Sequence, residues 1–199
     1  MNACTPGQAV FCALLCWNFG ASAQRTSLQS PDAFDAVRDT GQRSRALFVE
    51  AGKAILSPRC MNCHPKGESP TQGDDMHLHL PRIVRGTDGH GATALSCATC
   101  HQAANFEASN VPGSPTWHLA PLSMAWQGLS LGQICVQMKD SKRNGGKTLA
   151  QIQEHMASDP LVAWGWAPGG HRVPAPGTQA QLGVLMKAWI ETGAACPAP

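Results

Sequence analysis
The stretch Cys60-Met61-Asn62-Cys63-His64 and its second occurrence, Cys97-Ala98-Thr99-Cys100-His101, decide how this chain is read. Both follow the pattern C-x-x-C-H, the attachment signature of c-type haem. Two thiols three positions apart on one helical turn are able to add to the two vinyl groups of a haem, and the next residue, His, then faces the iron. Cys60, Cys63, Cys97 and Cys100 are therefore read as thioether-forming residues, and His64 and His101 as proximal ligands. Two chance matches in one chain have a probability of order one in a thousand. The competing chemistries are a zinc site and a redox dithiol. Against zinc, the 33 residues between Cys63 and Cys97 exceed the roughly 15 to 20 usual between zinc knuckles. Against the dithiol, an exported thiol pair meets oxidising conditions.

Export is read from the beginning of the chain. The apolar run Val10 to Trp17 precedes Ala21-Ser22-Ala23, so residues 1–23 read as a signal peptide cleaved near Ala23, with a periplasmic destination. No Lys or Arg precedes Val10, which leaves the α-amino group as the only charge there. The apolar run falls far short of the roughly 20 residues that cross a bilayer, so no transmembrane anchor is expected. Of the nine cysteines, Cys135 and Cys196 remain after the signal segment and the two motifs are set aside. In an oxidising compartment they most simply form a disulfide; two separate buried thiols are the alternative.

The 199 residues are 43% apolar and 14% charged, with a formal charge of +2, too balanced to point to nucleic acid or an anionic membrane. Twenty glycines and fifteen prolines describe a loop-rich chain with a small core. Residues 24–42 read as a solvated, flexible leader and 43–199 as a single domain. Apolar spacing predicts helices over 43–56, ending before Pro58, and over 129–140. Thr148 and Thr178 each open a further helix, running to Met156 and Glu191, the latter closed by Gly193. Residues 65–96 carry too many Gly and Pro for a long helix, and no alternation is long enough for a sheet. The expected fold class is mainly α, with cytochrome c-like helices and long Gly/Pro-rich loops packed around two covalently bound haems that share one core. The step of 37 positions from His64 to His101 is too short for a domain around each.

A distal His, a distal Met or an open position decides whether such an iron transfers electrons or does chemistry. In the loop between the motifs, His79 ranks first and His77 second for the first haem. For the second, the candidates are His155, Met124 and His118; His90, His171 and Met76 are further possibilities. Met138, Met156 and Met186 read as core. Met61 is held too close to the attachment side to reach across. Trp117, Trp126, Trp164, Trp166 and Trp189 read as pocket and core packing rather than a substrate cage. The basic run Lys139 to Lys147 reads as a solvated helix end in preference to a docking site for an acidic partner.

Together the two motifs, Pro112-Gly113-Ser114-Pro115-Thr116-Trp117, Leu119-Ala120-Pro121, Asn144-Gly145-Gly146, Trp164-Gly165-Trp166-Ala167-Pro168-Gly169 and Gly193-Ala194-Ala195-Cys196-Pro197 resemble a family of small bacterial di-haem cytochromes c. Members of it are labelled isoquinoline 1-oxidoreductase subunit, and the resemblance covers residues 45–197. It implies a redox partner protein, a molybdenum hydroxylase-type dehydrogenase, from which electrons are accepted; any hydroxylation would occur in that partner. The expected function is periplasmic electron transfer. The rivals are a small peroxidase-like haem enzyme with one open iron, and a haem-based sensor or structural subunit.

Overall fold
A computed structural model describes residues 27–199, and the expected signal peptide lies outside the described residues. The chain is mainly α. Its helices are α1 (Thr40–Ile55), α2 (Pro58–Met61), α3 (Leu131–Lys139), α4 (Leu149–Ser158), α5 (Pro160–Ala163) and α6 (Gln179–Glu191). Each longer helix begins where a side chain satisfies the free N–H groups of its first turn. Asp39 accepts from the Gln42 N–H at α1. Ser130–Gln133 at α3 and Thr148–Gln151 at α4 form reciprocal capping boxes, and Thr178 accepts from the Gln181 N–H at α6. Among the described residues no helix is long and apolar enough to cross a membrane.

α1 and α6 pack across the centre of the core. The rings of Phe48 and Trp189 lie 4.8 Å apart, both fully buried. Ser44 Oγ donates to the Trp189 carbonyl and accepts from the Ala195 N–H, which fixes the C-terminal tail beside α1. Met138, Met156 and Met186 are buried in this core, and Met61 joins it. Cys135 on α3 and Cys196 in the tail are disulfide-bonded, with Cα atoms 5.6 Å apart.

The stretch expected to be a solvated leader is partly built into the fold. Leu28 is 3% exposed and packs in the core, the Gln29 N–H donates to the buried Glu50 carboxylate, and α1 starts at Thr40, three residues before the expected Arg43. A single apolar residue among polar neighbours has no periodicity to betray it, and Asp39 is a stronger helix start than the apolar spacing showed. The inter-motif loop also holds two short antiparallel ladders where no strand was expected. β1 (Thr71–Gln72) pairs with β2 (His77–Leu78), and β3 (Gly91–Ala92) with β4 (Leu95–Ser96). Two-residue strands are too short to alternate. The first hairpin is pinned to α2, because Arg59 and Asn62 both donate to the Gly73 carbonyl at its tip.

Candidate cofactor site
The first motif lies on α2 and the turn after it, the second on a 3-10 turn over Cys97–Thr99. In both, the histidine N–H returns to the carbonyl of the first cysteine, at 3.2 Å for His64 and 2.9 Å for His101. This is the local helical turn that puts two thiols and one imidazole on the same side.

Two cavities open onto these motifs. One, of about 200 Å³, is lined by Cys60, Cys63, His64, Met124, Trp126, His155 and Met156 among others. The other, of about 560 Å³, is lined by Cys63, Cys97, Cys100, His101, His79, Trp117 and Arg172 among others. Arg59, Cys63 and His118 belong to both walls, so the cavities adjoin.

The two motif histidines are held in the same way. His64 Nδ1 lies 2.6 Å from the Met124 carbonyl, and His101 Nδ1 lies 2.6 Å from the Pro112 carbonyl. A carbonyl only accepts, so Nδ1 carries the proton in each ring and the Nε2 lone pair is left free. An indole stacks on each imidazole: Trp126 on His64 at 3.5 Å and 8°, Trp117 on His101 at 4.4 Å and 13°. Residues 117–126 thus serve both sites. The segment is tied to the first motif by the Ala120 N–H to Cys63 and the Trp126 N–H to His64, and near the second by the Leu119 N–H to Gly89.

Burial keeps both imidazoles neutral. It pushes His64 down to about 4, against the hydrogen bond to Met124 and with the His155 and Arg85 charges acting in the same sense. His101 is lowered by burial too, with His79 and Arg172 adding to the effect. Burial raises the Cys60 thiol to about 11 and the Cys63 thiol to about 12. These sulfurs are thiols, not thiolates, at neutral pH. Among the described residues no three His, Cys, Asp or Glu side chains gather as a bare metal ion requires. A haem iron asks the protein for only two ligands, because the macrocycle supplies the rest.

The distal candidates stand elsewhere than their order along the chain suggests: His79, expected with the first motif, is on the cavity of the second, and His155, expected with the second, is on the cavity of the first. His79 lines the His101 cavity, with its ring centroid 6.0 Å from that of His101. His155 lines the His64 cavity. The hairpin β1–β2 carries His79 away from the first motif and over the second, while α4, packed on α6, brings His155 to the first. Met124 also lies beside His64 rather than His101, and its backbone carbonyl is what holds that ring. His79 donates through Nδ1 to the Pro81 carbonyl at 2.9 Å, and His155 Nδ1 lies 3.0 Å from Asp159 Oδ2, so both leave Nε2 free. His77 does not: its nitrogens meet Asp75 and Gln72. His118 stacks on His90 and touches both cavities.

Sequence reasoning had no means of finding the carbonyls of Met124 and Pro112, since a backbone acceptor leaves no residue signature. Arg59 also escaped it, although it directly precedes the first motif. No family model, curated protein or solved structure matches the chain.

Proposed function
We propose that the chain is an exported di-haem c-type cytochrome that carries single electrons, accepting them from an oxidoreductase partner such as a molybdenum hydroxylase-type dehydrogenase. The observation that carries this reading is the duplicated arrangement. Each C-x-x-C-H histidine is stacked on an indole and tied through Nδ1 to a carbonyl, and it opens with its Nε2 free onto a cavity that holds a second histidine with a free Nε2. Ligand histidines in metalloproteins are fixed in this way by a partner on the other ring nitrogen.

The residues fit the group. His79 and His101 stand on the wall of one cavity with ring centroids 6.0 Å apart, where both could serve a single bound group. Trp126, stacked on His64, lines that cavity, and its buried Nε1 has no protein partner. Cys60 and Cys63 would hold one haem, with His64 and His155 available to its iron. Cys97 and Cys100 would hold the other, with His101 and His79. Cys60, Cys63, Cys97 and Cys100 would each supply an S–H for a thioether to a haem vinyl group, an addition with no net redox change. When bound, such a group supplies a one-electron iron couple. The chain fixes the tautomer of each ligand, keeps the imidazoles neutral, and sets the two cavities against a shared wall.

The test is the optical spectrum of the periplasmically matured protein, oxidised and dithionite-reduced, with a pyridine haemochrome count. Two c-type haems per chain with six-coordinate, low-spin spectra that resist CO are expected. A high-spin haem that binds CO would replace the carrier by a peroxidase-like enzyme, and a matured chain without haem would overturn the reading.

A further inference from the structure
Arg59 carries a guanidinium that is 1% exposed and forms part of the wall of both cavities. Its Nη2 donates to the Gly73 carbonyl at 3.0 Å and to Asp74 Oδ1 at 2.5 Å, and the group lies 5.8 Å over the Trp164 ring. Its Nε is buried with no partner. A second guanidinium, Arg172, faces the same His101 cavity. Arg172 donates to the carbonyls of Pro168, Gly169 and Asn110 and, among the described residues, makes no ion pair of its own. Burial depresses Arg59, Asp74 opposes it, and Arg172 is close enough to add to the depression. Asp74 is the one carboxylate bonded to this corner. Its side chain is 43% exposed, and it divides its oxygens between Arg59 and the Val173 N–H.

Glu107 and Asp74 both lie near enough to act on Arg172, yet Arg172 has no anion at ion-pair distance among the described residues, and Arg59 holds Asp74 alone. A guanidinium taken out of water is stabilised by an anion at hydrogen-bond range. A planar guanidinium fork matches a carboxylate better than any other common anion except phosphate. Asp74 and Arg172 line the His101 cavity and not its neighbour. We infer that Arg59 and Arg172 form the binding corner for the propionate carboxylates of the haem held by Cys97, Cys100 and His101. The inference rests on the functional reading above. It makes Arg59 a shared element, bonded to one haem while lying on the wall of the other.

Positive charge beside an iron favours its reduced form, so removing it lowers the reduction potential. The test is a spectroelectrochemical titration of the matured di-haem protein, as wild type and as Arg59→Gln, Arg172→Gln and Arg59→Lys. A His79→Ala background, whose altered spectrum marks the His101 haem, assigns the two waves. The expected result is a fall in the His101 wave in each Gln variant by at least a tenfold change in the oxidised-to-reduced ratio at fixed potential, equivalent to 59 mV. Arg59→Lys should recover most of it. Arg172 is only partly buried, so its variant carries the test if Arg59→Gln does not accumulate. Two haems per chain with an unmoved His101 wave in Arg172→Gln would overturn the inference and leave the functional reading intact. A wild-type chain that matures without two haems would overturn both.

Discussion

His64 is a neutral imidazole by construction, and that has a pH signature. Its value in the folded chain is about 4, against about 6.5 for an unfolded histidine. Below pH 6.5 the unfolded chain therefore takes up the proton first. The stability that His64 contributes is complete above about pH 6.5 and is lost as the pH falls towards 4. His101 shifts in the same direction. Urea midpoints of the cofactor-free chain should fall between pH 7 and pH 5, and His64→Asn should flatten that slope; an unchanged slope would contradict the burial argument. Asp159 acts on the other histidine of this cavity. One of its oxygens meets His155 Nδ1 at 3.0 Å and the other accepts from the Leu161 N–H at 2.7 Å, so the carboxylate is fixed in place. On the proposed ligation it makes His155 a more basic ligand, which favours the oxidised iron. Asp159→Asn should raise the potential of the His64 haem by an amount on the order of 59 mV, a tenfold change in the couple, and leave the His101 haem in place. A redox titration resolving the two waves decides it.

Between elements, the approach of α4 to α6 sets where His155 can stand. It is close because Gly183 of α6 meets Ala157 of α4: a Cβ built at 183 would lie 2.6 Å from the Ala157 Cβ and 3.1 Å from its Cα. Alanine is the better helix former by about 1 kcal/mol, but overpacking a close helix contact costs about 1–3 kcal/mol. Gly183→Ala should therefore destabilise the chain by up to about 2 kcal/mol in urea unfolding, and displace α4 enough to move His155. A gain in stability would mean that helix propensity, not packing, governs this position. Gly132 of α3 is held in the same way against the C-terminal tail, where an added Cβ would clash with the Ala198 carbonyl oxygen.

Across the whole molecule, long loops are kept in place by few regular hydrogen bonds, and the covalent tie matters accordingly. The Cys135–Cys196 disulfide closes 61 residues of chain, including α4, α5 and most of the wall around His155. On the loop-entropy account such a link contributes about 4 kcal/mol. Replacing both cysteines by Ala should lower the unfolding free energy by about that amount, as measured by denaturant titration at pH 7. A loss below about 1 kcal/mol would show that packing of the tail against α1, through Ser44 and Trp189, suffices without it.

What the sequence by itself determined is local. The two C-x-x-C-H turns, the capped starts of α4 and α6, the stop before Pro58 and the left-over cysteine pair follow from residues within a few positions of each other or from simple pairing, where backbone sterics and side-chain caps dominate. Leu28, the two-residue ladders and the indole stacks on His64 and His101 carry no period or spacing and were out of reach. The tertiary structure alone decided which histidine faces which motif. Proximity along the chain assigns His79 to the first motif, yet Arg59 and Asn62 clamp the hairpin at Gly73 and turn His79 towards His101. α4 covers the face thus left open, because burying its apolar side against α6 is the larger driving force. Partner choice across a shared core is set by how helices and loops bury their apolar surface together, and no window of the sequence contains that sum.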